Sequence, residues 1–221
     1  MIYHDAESVI AAVMDNPSAP ALVAQLQSRL TEELQRRQQF YADIDDTQKA
    51  EFINGEVVIH SPVKIEHSEI SSFLLQIINP FVRKNKLGFV GIEKIMISLS
   101  RNDYEPDLVF FRKEKSIHFQ KGQWKFPTPD FVVEILSQST EKRDKGIKFE
   151  DYATHGIAEY WIIDPLDESI EQYLLENNLY KLNLKAHRGI IESIAIQGFS
   201  MDIRAIFDEV VNLNEMKRII G

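Results

Sequence analysis

The sequence predicts an α/β fold with a mixed central β-sheet flanked by helices. Short apolar runs at residues 106–111, 129–136 and 159–164 are bounded by polar or proline-containing turns, as buried strands are. Amphipathic segments with helical periodicity separate these runs. The 221 residues, 44% of them hydrophobic, suffice for one sizeable domain with appendages. This alternation of helices and strands favours helices packed on a sheet.

The first 45 residues predict a helical extension. Val9, Ile10 and Val13 fall at helical spacing, and a second apolar series runs from Leu22 to Leu34 after the proline-containing segment 16–20. The polar end of the second helix is typical of a solvated face, so we assign the extension no chemistry. We place the main domain at residues 46–221.

The remaining elements follow from turns and periodicity. Asn54-Gly55 is the strongest short-range signal for a β-hairpin and joins two strands within residues 51–59. A helix with a kink at Pro80 is expected over residues 65–86. Later elements are predicted as strands at 89–99, 106–111, 129–136 and 159–164, helices at 139–154 and 201–211, and a hairpin or meander at 169–196.

Composition excludes several classes of function. There is no cysteine, which rules out disulfides, a thiol nucleophile and thiolate zinc sites, and the six histidines lack ligand spacing. A formal net charge of −9 argues against binding nucleic acid mainly through bulk electrostatics. We see no signal peptide and no membrane-spanning run, and therefore expect a cytoplasmic protein without membrane contact.

Two acidic residues stand out because they belong to apolar strands. Asp107 begins one strand and Glu134 lies in the middle of another, on the same predicted face as Val132 and Leu136. Burying an ionised carboxylate is costly unless a cation or hydrogen-bond donors meet it. The pair therefore predicts a metal ion or a basic partner.

The helix after the second strand offers a cation. Asp144, Lys148 and Tyr152 are four residues apart and share a helix face, so the Lys148 ammonium could reach toward the strand that precedes it. Carboxylates from two strands with one lysine suit phosphodiester cleavage, in which Mg²⁺ activates a water molecule and the lysine orients it or neutralises developing charge.

With these residues the chain resembles the Uma-type restriction endonucleases, a bacterial family of the PD-(D/E)XK nuclease superfamily. The resemblance covers residues 50–205, and its motifs are Asn54-Gly55-Glu56, Ser61-Pro62 with His67, 105–109, 129–137, 139–148 and 152–165. It implies a restriction-endonuclease-like core over residues 46–221, with Asp107 and Glu134 as ligands of Mg²⁺ or Mn²⁺. It also implies a DNA substrate and Glu56 as a further catalytic acid.

One position departs from the superfamily pattern. Leu136 stands where a lysine is expected two residues after the second acid, and in this family the matching helix position, Lys148, substitutes for it. His67 and Asp144 are peripheral candidates. Asp130, at the entry to its strand, is better explained as a turn cap.

Three functions remain open from the sequence. The first is an Mg²⁺-dependent endonuclease acting on DNA, with Asp107, Glu134, Lys148 and Glu56 as its catalytic residues. The second is an inactive nuclease-fold binding protein, and the third is a hydrolase of small phosphoesters. Cleavage of both DNA strands needs two sites, so we expect a homodimer. The basic residues that could hold a DNA backbone are Arg83, Lys84, Lys86, Arg112, Lys113 and Lys115.

Overall fold

The structure is a computed structural model that describes residues 6–45 and 48–221. Its α-helices are α1 (Ala6–Met14), α2 (Ala19–Asp43), α3 (Ile65–Lys84), α4 (Lys113–Ser116), α5 (Glu141–Asp144), α6 (Ile147–Thr154) and α7 (Glu209–Ile220). Its strands are β1 (Ala50–Ile53), β2 (Glu56–Ile59), β3 (Gly88–Ile92), β4 (Met96–Ser98), β5 (Asp103–Tyr104), β6 (Leu108–Arg112), β7 (Lys125–Phe126), β8 (Phe131–Ile135), β9 (Glu159–Asp164), β10 (Ser169–Glu176), β11 (Leu179–Ala186), β12 (Ile190–Glu192) and β13 (Ser200–Asp202). A 3₁₀ turn spans Ile203–Ile206.

The central sheet is mixed, as predicted. Its six strands lie in the order β11-β10-β9-β8-β6-β3, with β8 and β9 parallel and the other neighbours antiparallel. Because β6 and β8 run in opposite directions, the start of β6 lies beside the end of β8. This arrangement brings Asp107, just before β6, next to Ile135 at the end of β8.

A second sheet carries the predicted hairpin. Its order is β2-β1-β5-β4-β7, and β1 pairs with β2 in antiparallel register. Asn54 and Gly55 connect them with positive φ angles of 51° and 86°, as the two central residues of a type I′ hairpin turn require. The hairpin prediction is confirmed.

Apolar cores cover both faces of the central sheet. Phe131, Val133 and Ile135 of β8 pack into the core formed with α3 and α7. Val132 and Leu136 point the opposite way, into the core between the two sheets, which also contains Tyr152 of α6. The predicted alternation is therefore confirmed, and Glu134 belongs to the face between the sheets.

The helical extension meets the rest of the chain through the end of α2. Arg37 forms a two-point ion pair with Asp103, with nitrogen–oxygen distances of 2.6 and 2.7 Å, and Phe40 packs against Phe52. No residue between 19 and 32, all within the described range, is buried. The first half of α2 therefore projects beyond the main body. Of the predicted extension and its boundary, residues 1–5 and 46 lie outside the described residues.

Several element predictions were wrong in detail. The segment expected as one helix at 139–154 is two, α5 and α6, with Gly146 between them, where a Cβ would lie 2.6 Å from the carbonyl oxygen of Lys142. The strand expected at 89–99 is divided by a turn in which Glu93 has a φ of 53°. At the C-terminus, β13 and a 3₁₀ turn occupy 200–206, and the helix begins later because the Asp208 side chain caps it by accepting from the backbone N–H of Val211.

Among the residues that the structure describes, no helix combines the length and apolar character needed to cross a bilayer.

Candidate active site

Four buried carboxylates gather where the two sheets and the α5–α6 pair meet. They are Glu51 of β1, Asp107 before β6, Glu134 of β8 and Asp144 of α5, and each is at most 5% exposed. Such a concentration of acids is stable only if cations or protons neutralise it. We call these four residues the acid cluster.

Lys148 of α6 joins three members of the acid cluster. Its Nζ lies 3.0 Å from Glu51 Oε1, 3.0 Å from Glu134 Oε1 and 3.3 Å from Asp144 Oδ1. The Tyr152 hydroxyl donates to the same Glu134 oxygen at 2.8 Å. Burial opposes the lysine's charge, but the three carboxylates outweigh it and raise the pKa of Lys148 well above its usual value. This ammonium neutralises the inner part of the cluster.

Asp107 has a separate set of partners. Lys49 Nζ lies 2.9 Å from its Oδ1, while His67 Nε2 lies 3.1 Å from its Oδ2. The backbone N–H of Ile135 donates to Oδ2 at 2.8 Å. Burial alone would favour the neutral acid, but Lys49, His67 and this N–H hold the pKa of Asp107 well below its usual range. Asp107 is therefore an ionised carboxylate at neutral pH.

Glu134 is perturbed in the opposite direction. Its burial and the repulsion from Asp144, Asp107 and Glu51 outweigh the attraction of Lys148, which raises the pKa of Glu134 to about 8. Two neighbouring carboxylates with oppositely shifted pKa values are typical of catalytic sites, although structural ion-pair networks produce them as well. The acid cluster thus holds one firmly charged and one readily protonated carboxylate.

Comparison with known proteins places the chain in a family. The model of the Uma2 family, described as "Putative restriction endonuclease", matches residues 31–204. The chain belongs to the Uma2 family. This membership confirms the resemblance seen in the sequence, and the match begins within α2, so that α1 and the projecting first half of α2 precede it.

Two further comparisons found proteins that are similar to this chain. An uncharacterised protein, sll1609, from Synechocystis sp. strain PCC 6803 is 27% identical over 129 residues, which cover 58% of this chain and 72% of the relative. A crystal structure of a putative nuclease of the DUF820 group from Anabaena variabilis ATCC 29413 superposes with a TM-score of 0.65 at 18% identity, covering 76% of this chain and 94% of that one. At this identity the structural match shows the fold alone, and the predicted restriction-endonuclease-like fold is confirmed.

In this Uma2 protein, most of the predicted site residues lie in or against the acid cluster, but one does not. Asp107, Glu134 and Asp144 belong to the acid cluster, with Lys148 and His67 against it. Glu56 does not lie there, because it is exposed on β2. The acid that the hairpin contributes is Glu51, which faces Lys148 from β1.

Sequence reasoning missed three residues at this site: Glu51, Lys49 and His60. Glu51 is a charged residue within the apolar strand Ala50–Ile53, the same signal that identified Glu134, so it could have been found. His60 Nε2 lies 3.0 Å from Glu51 Oε2 across the hairpin. Lys49 precedes the strand in a polar stretch and carries no distinguishing pattern, because only the fold brings it to Asp107.

The basic residues considered for DNA binding lie elsewhere. A cavity of about 520 Å³ at the far end of β6 is lined by Lys86, Arg112 and Lys113. The five residues of β6, which span roughly 17 Å, separate this cavity from the acid cluster. Lys84 Nζ donates to the carbonyl oxygen of Ile219, and Lys115 pairs with Asp130. These residues do not surround the acid cluster.

The donor set of the acid cluster suits a hard divalent cation, because such ions prefer carboxylate oxygens. Asp144 Oδ2 is buried without a hydrogen-bond partner among the described residues, whereas Asp144 Oδ1 and Glu51 Oε2 have contacts at ion-pair distance from Lys148 and His60. Within residues 6–45 and 48–221, however, no three histidine or acidic side chains converge in the geometry of a metal site. Instead, the ammonium groups of Lys49 and Lys148 lie against the carboxylates.

Proposed function

We propose that this Uma2 protein is a divalent-metal-dependent endonuclease that hydrolyses DNA phosphodiester bonds, with Mg²⁺ or Mn²⁺ as its ion. One observation carries the proposal. In this chain of the restriction endonuclease family, Asp107 just before β6 and Glu134 of the neighbouring β8 are buried side by side. The pKa of Asp107 is lowered and that of Glu134 is raised, and Lys49 and Lys148 contact the pair. Family membership supports the reaction class, while the metal and the DNA substrate are proposals.

In this proposal, the carboxylates of Asp107 and Glu134 hold the ion. A divalent cation in such a site supplies an activated water molecule and stabilises negative charge on the phosphate. Asp107 is kept ionised by Lys49 and by the Ile135 N–H, so it presents a permanent negative charge. Glu134 is oriented by the Tyr152 hydroxyl, which donates to one of its oxygens.

The remaining groups position these two ligands. Lys148 compensates Glu51, Glu134 and Asp144 together, which allows acids from two sheets and a helix to be buried at one point. His67 of α3 contacts Asp107 through Nε2, while its buried Nδ1 has no hydrogen-bond partner among the described residues. We assign His67 the orientation of Asp107.

A plasmid-nicking assay tests this proposal. Wild-type protein with Mg²⁺ or Mn²⁺ is expected to convert supercoiled plasmid to the open circular form, and chelation of the metal should stop the reaction. Asp107→Asn should abolish nicking. Asp130→Asn provides a matched control, since Asp130 also follows a proline but pairs with Lys115 at the other end of the strands. Nicking that survives in Asp107→Asn, or equal loss in both variants, would contradict the assignment.

A catalytically inactive binding protein is the second candidate function. The observation that favours it is that lysine ammonium groups contact the carboxylates, while the described residues form no three-ligand metal cluster. On this reading the ion pairs hold the two sheets together. DNA binding that requires no divalent ion and leads to no nicking would support this function over the first.

We further propose that two copies of the chain form a homodimer through the helical extension. Val23, Leu26, Leu30 and Leu34 of α2 recur at helical spacing and are each at least 40% exposed. Residues 6–34 contain a single basic residue, Arg29, which argues against nucleic acid or an anionic membrane as the partner of this face. Symmetric pairing of the two α2 helices would cover the apolar stripe.

A further inference from the structure

We infer that Lys49, rather than Lys148, is the lysine that contacts the scissile phosphate. This inference rests on the proposed nuclease function and names the substrate-facing cation within it. It follows from a contrast between two lysines that meet the same group of carboxylates in different ways. Lys148 is enclosed by these carboxylates, whereas Lys49 contacts one of them and is partly exposed.

Lys148 is in no position to contact a substrate. Its side chain is 1% exposed, and its ammonium already has three carboxylate oxygens within 3.3 Å. The ammonium donates a hydrogen bond to Glu134 Oε1, and the oxygens of Glu51 and Asp144 lie on either side of it at ion-pair distance. Contact with a phosphate would require the loss of at least one buried ion pair, which is strongly destabilising.

Lys49 differs in exposure and in the number of its partners. Its side chain is 19% exposed, and within the described part of the chain its Nζ makes one ion pair, to Asp107 Oδ1 at 2.9 Å. The backbone is fixed there, because the N–H of His60 donates to the carbonyl oxygen of Lys49 at 3.0 Å. Lys49 is therefore the more exposed of the two lysines and has fewer carboxylate partners among the described residues.

The chemistry of the reaction calls for a cation at that point. In phosphodiester hydrolysis a water oxygen forms a bond to phosphorus, and the bond from phosphorus to the leaving oxygen breaks. The leaving oxygen takes the bonding electron pair and then a proton, while the water loses one. Negative charge builds on the non-bridging oxygens, and a fixed ammonium that donates a hydrogen bond to one of them stabilises this charge. Lys49 makes this contact while it remains beside Asp107.

The first test measures accessibility without relying on activity. The folded wild-type protein is treated with formaldehyde and a mild borohydride, and methylation of each lysine is followed by peptide mass spectrometry. Lys49 is expected to react at least tenfold faster than Lys148, with exposed Lys145 as the reactive control. A short duplex DNA added with Ca²⁺ should slow methylation of Lys49 and leave that of Lys145 unchanged. Faster reaction of Lys148, or no protection of Lys49 by DNA, would overturn the inference.

The second test separates a substrate contact from a structural role. Lys49→Met should reduce nicking at least 100-fold, and its melting temperature should fall by less than half of the fall in Lys148→Met. Lys49→Arg should restore part of the activity, and added methylamine should partly rescue Lys49→Ala. Lys145→Met is expected to nick at the wild-type rate. If the wild type nicks DNA and Lys49→Met is fully active, the role of Lys49 is overturned while the nuclease function stands. If the wild type does not nick DNA, the proposed function on which the inference rests is overturned.

Discussion

Replacement of Lys148 by methionine should destabilise the protein severely, because it leaves three buried carboxylates without their shared cation. The ammonium is 3.0 to 3.3 Å from Glu51, Glu134 and Asp144, and no side chain in this group is more than 4% exposed. Removing one partner of a buried ion pair costs about 3–5 kcal/mol. For a chain of this length, 1 kcal/mol corresponds to roughly 2–4 °C in melting temperature, so the expected fall is roughly 6–20 °C.

Differential scanning fluorimetry and urea denaturation in the absence of added metal measure this loss. Lys145→Met is the matched control, because Lys145 makes one surface ion pair with Glu141, and both side chains are more than a third exposed. Such a pair contributes at most about 0.5 kcal/mol, so the control should melt within about 2 °C of wild type. A Lys148→Met protein that melts as close to wild type as the control does would refute the view that Lys148 neutralises the acid cluster.

Three further outcomes are expected. Glu51→Gln should abolish plasmid nicking, whereas Glu56→Gln should nick at the wild-type rate, because of the two only Glu51 lies in the acid cluster. The reverse result would support Glu56, the acid predicted from the sequence, as the catalytic residue. Arg37→Met should lower the unfolding free energy measured in urea by about 3–5 kcal/mol, since it removes the cation paired with buried Asp103 and leaves that carboxylate the hydroxyl hydrogen bonds of Tyr41 and Ser98. A loss under about 1 kcal/mol would show that the end of α2 is not anchored through this pair. The double variant Leu26→Glu with Leu30→Glu should be a monomer by light scattering where wild type is a dimer, and a wild-type monomer would contradict the proposed homodimer.

The sequence was sufficient for the parts of the fold that depend on local pattern. Asn54-Gly55 fixed the hairpin because few residues other than asparagine and glycine adopt its positive φ angles readily. The alternation around Glu134 was correct because strand residues point to opposite faces, so one acid among Val and Ile could be assigned to a face. The break at Gly146 was missed because a glycine within a helical pattern is often tolerated.

The candidate site was only partly predictable. Asp107 and Glu134 were recognisable since charged residues rarely occur in apolar strands, and the same reasoning applied to β1 would have selected Glu51 over Glu56. Lys49 could not be found in this way, because a lysine in a polar stretch is normally a solvated residue. Its contact with Asp107 spans 58 positions in the chain and depends on how the two sheets pack.

Calorimetric titration of Mn²⁺ into wild type and Glu134→Gln, with plasmid nicking followed on the same samples, tests the central claim most directly. The account predicts saturable binding and nicking in wild type and the loss of both in the variant, whose melting temperature should show that it remains folded. A wild type that neither binds the ion nor nicks DNA would contradict the account and favour the inactive binding protein.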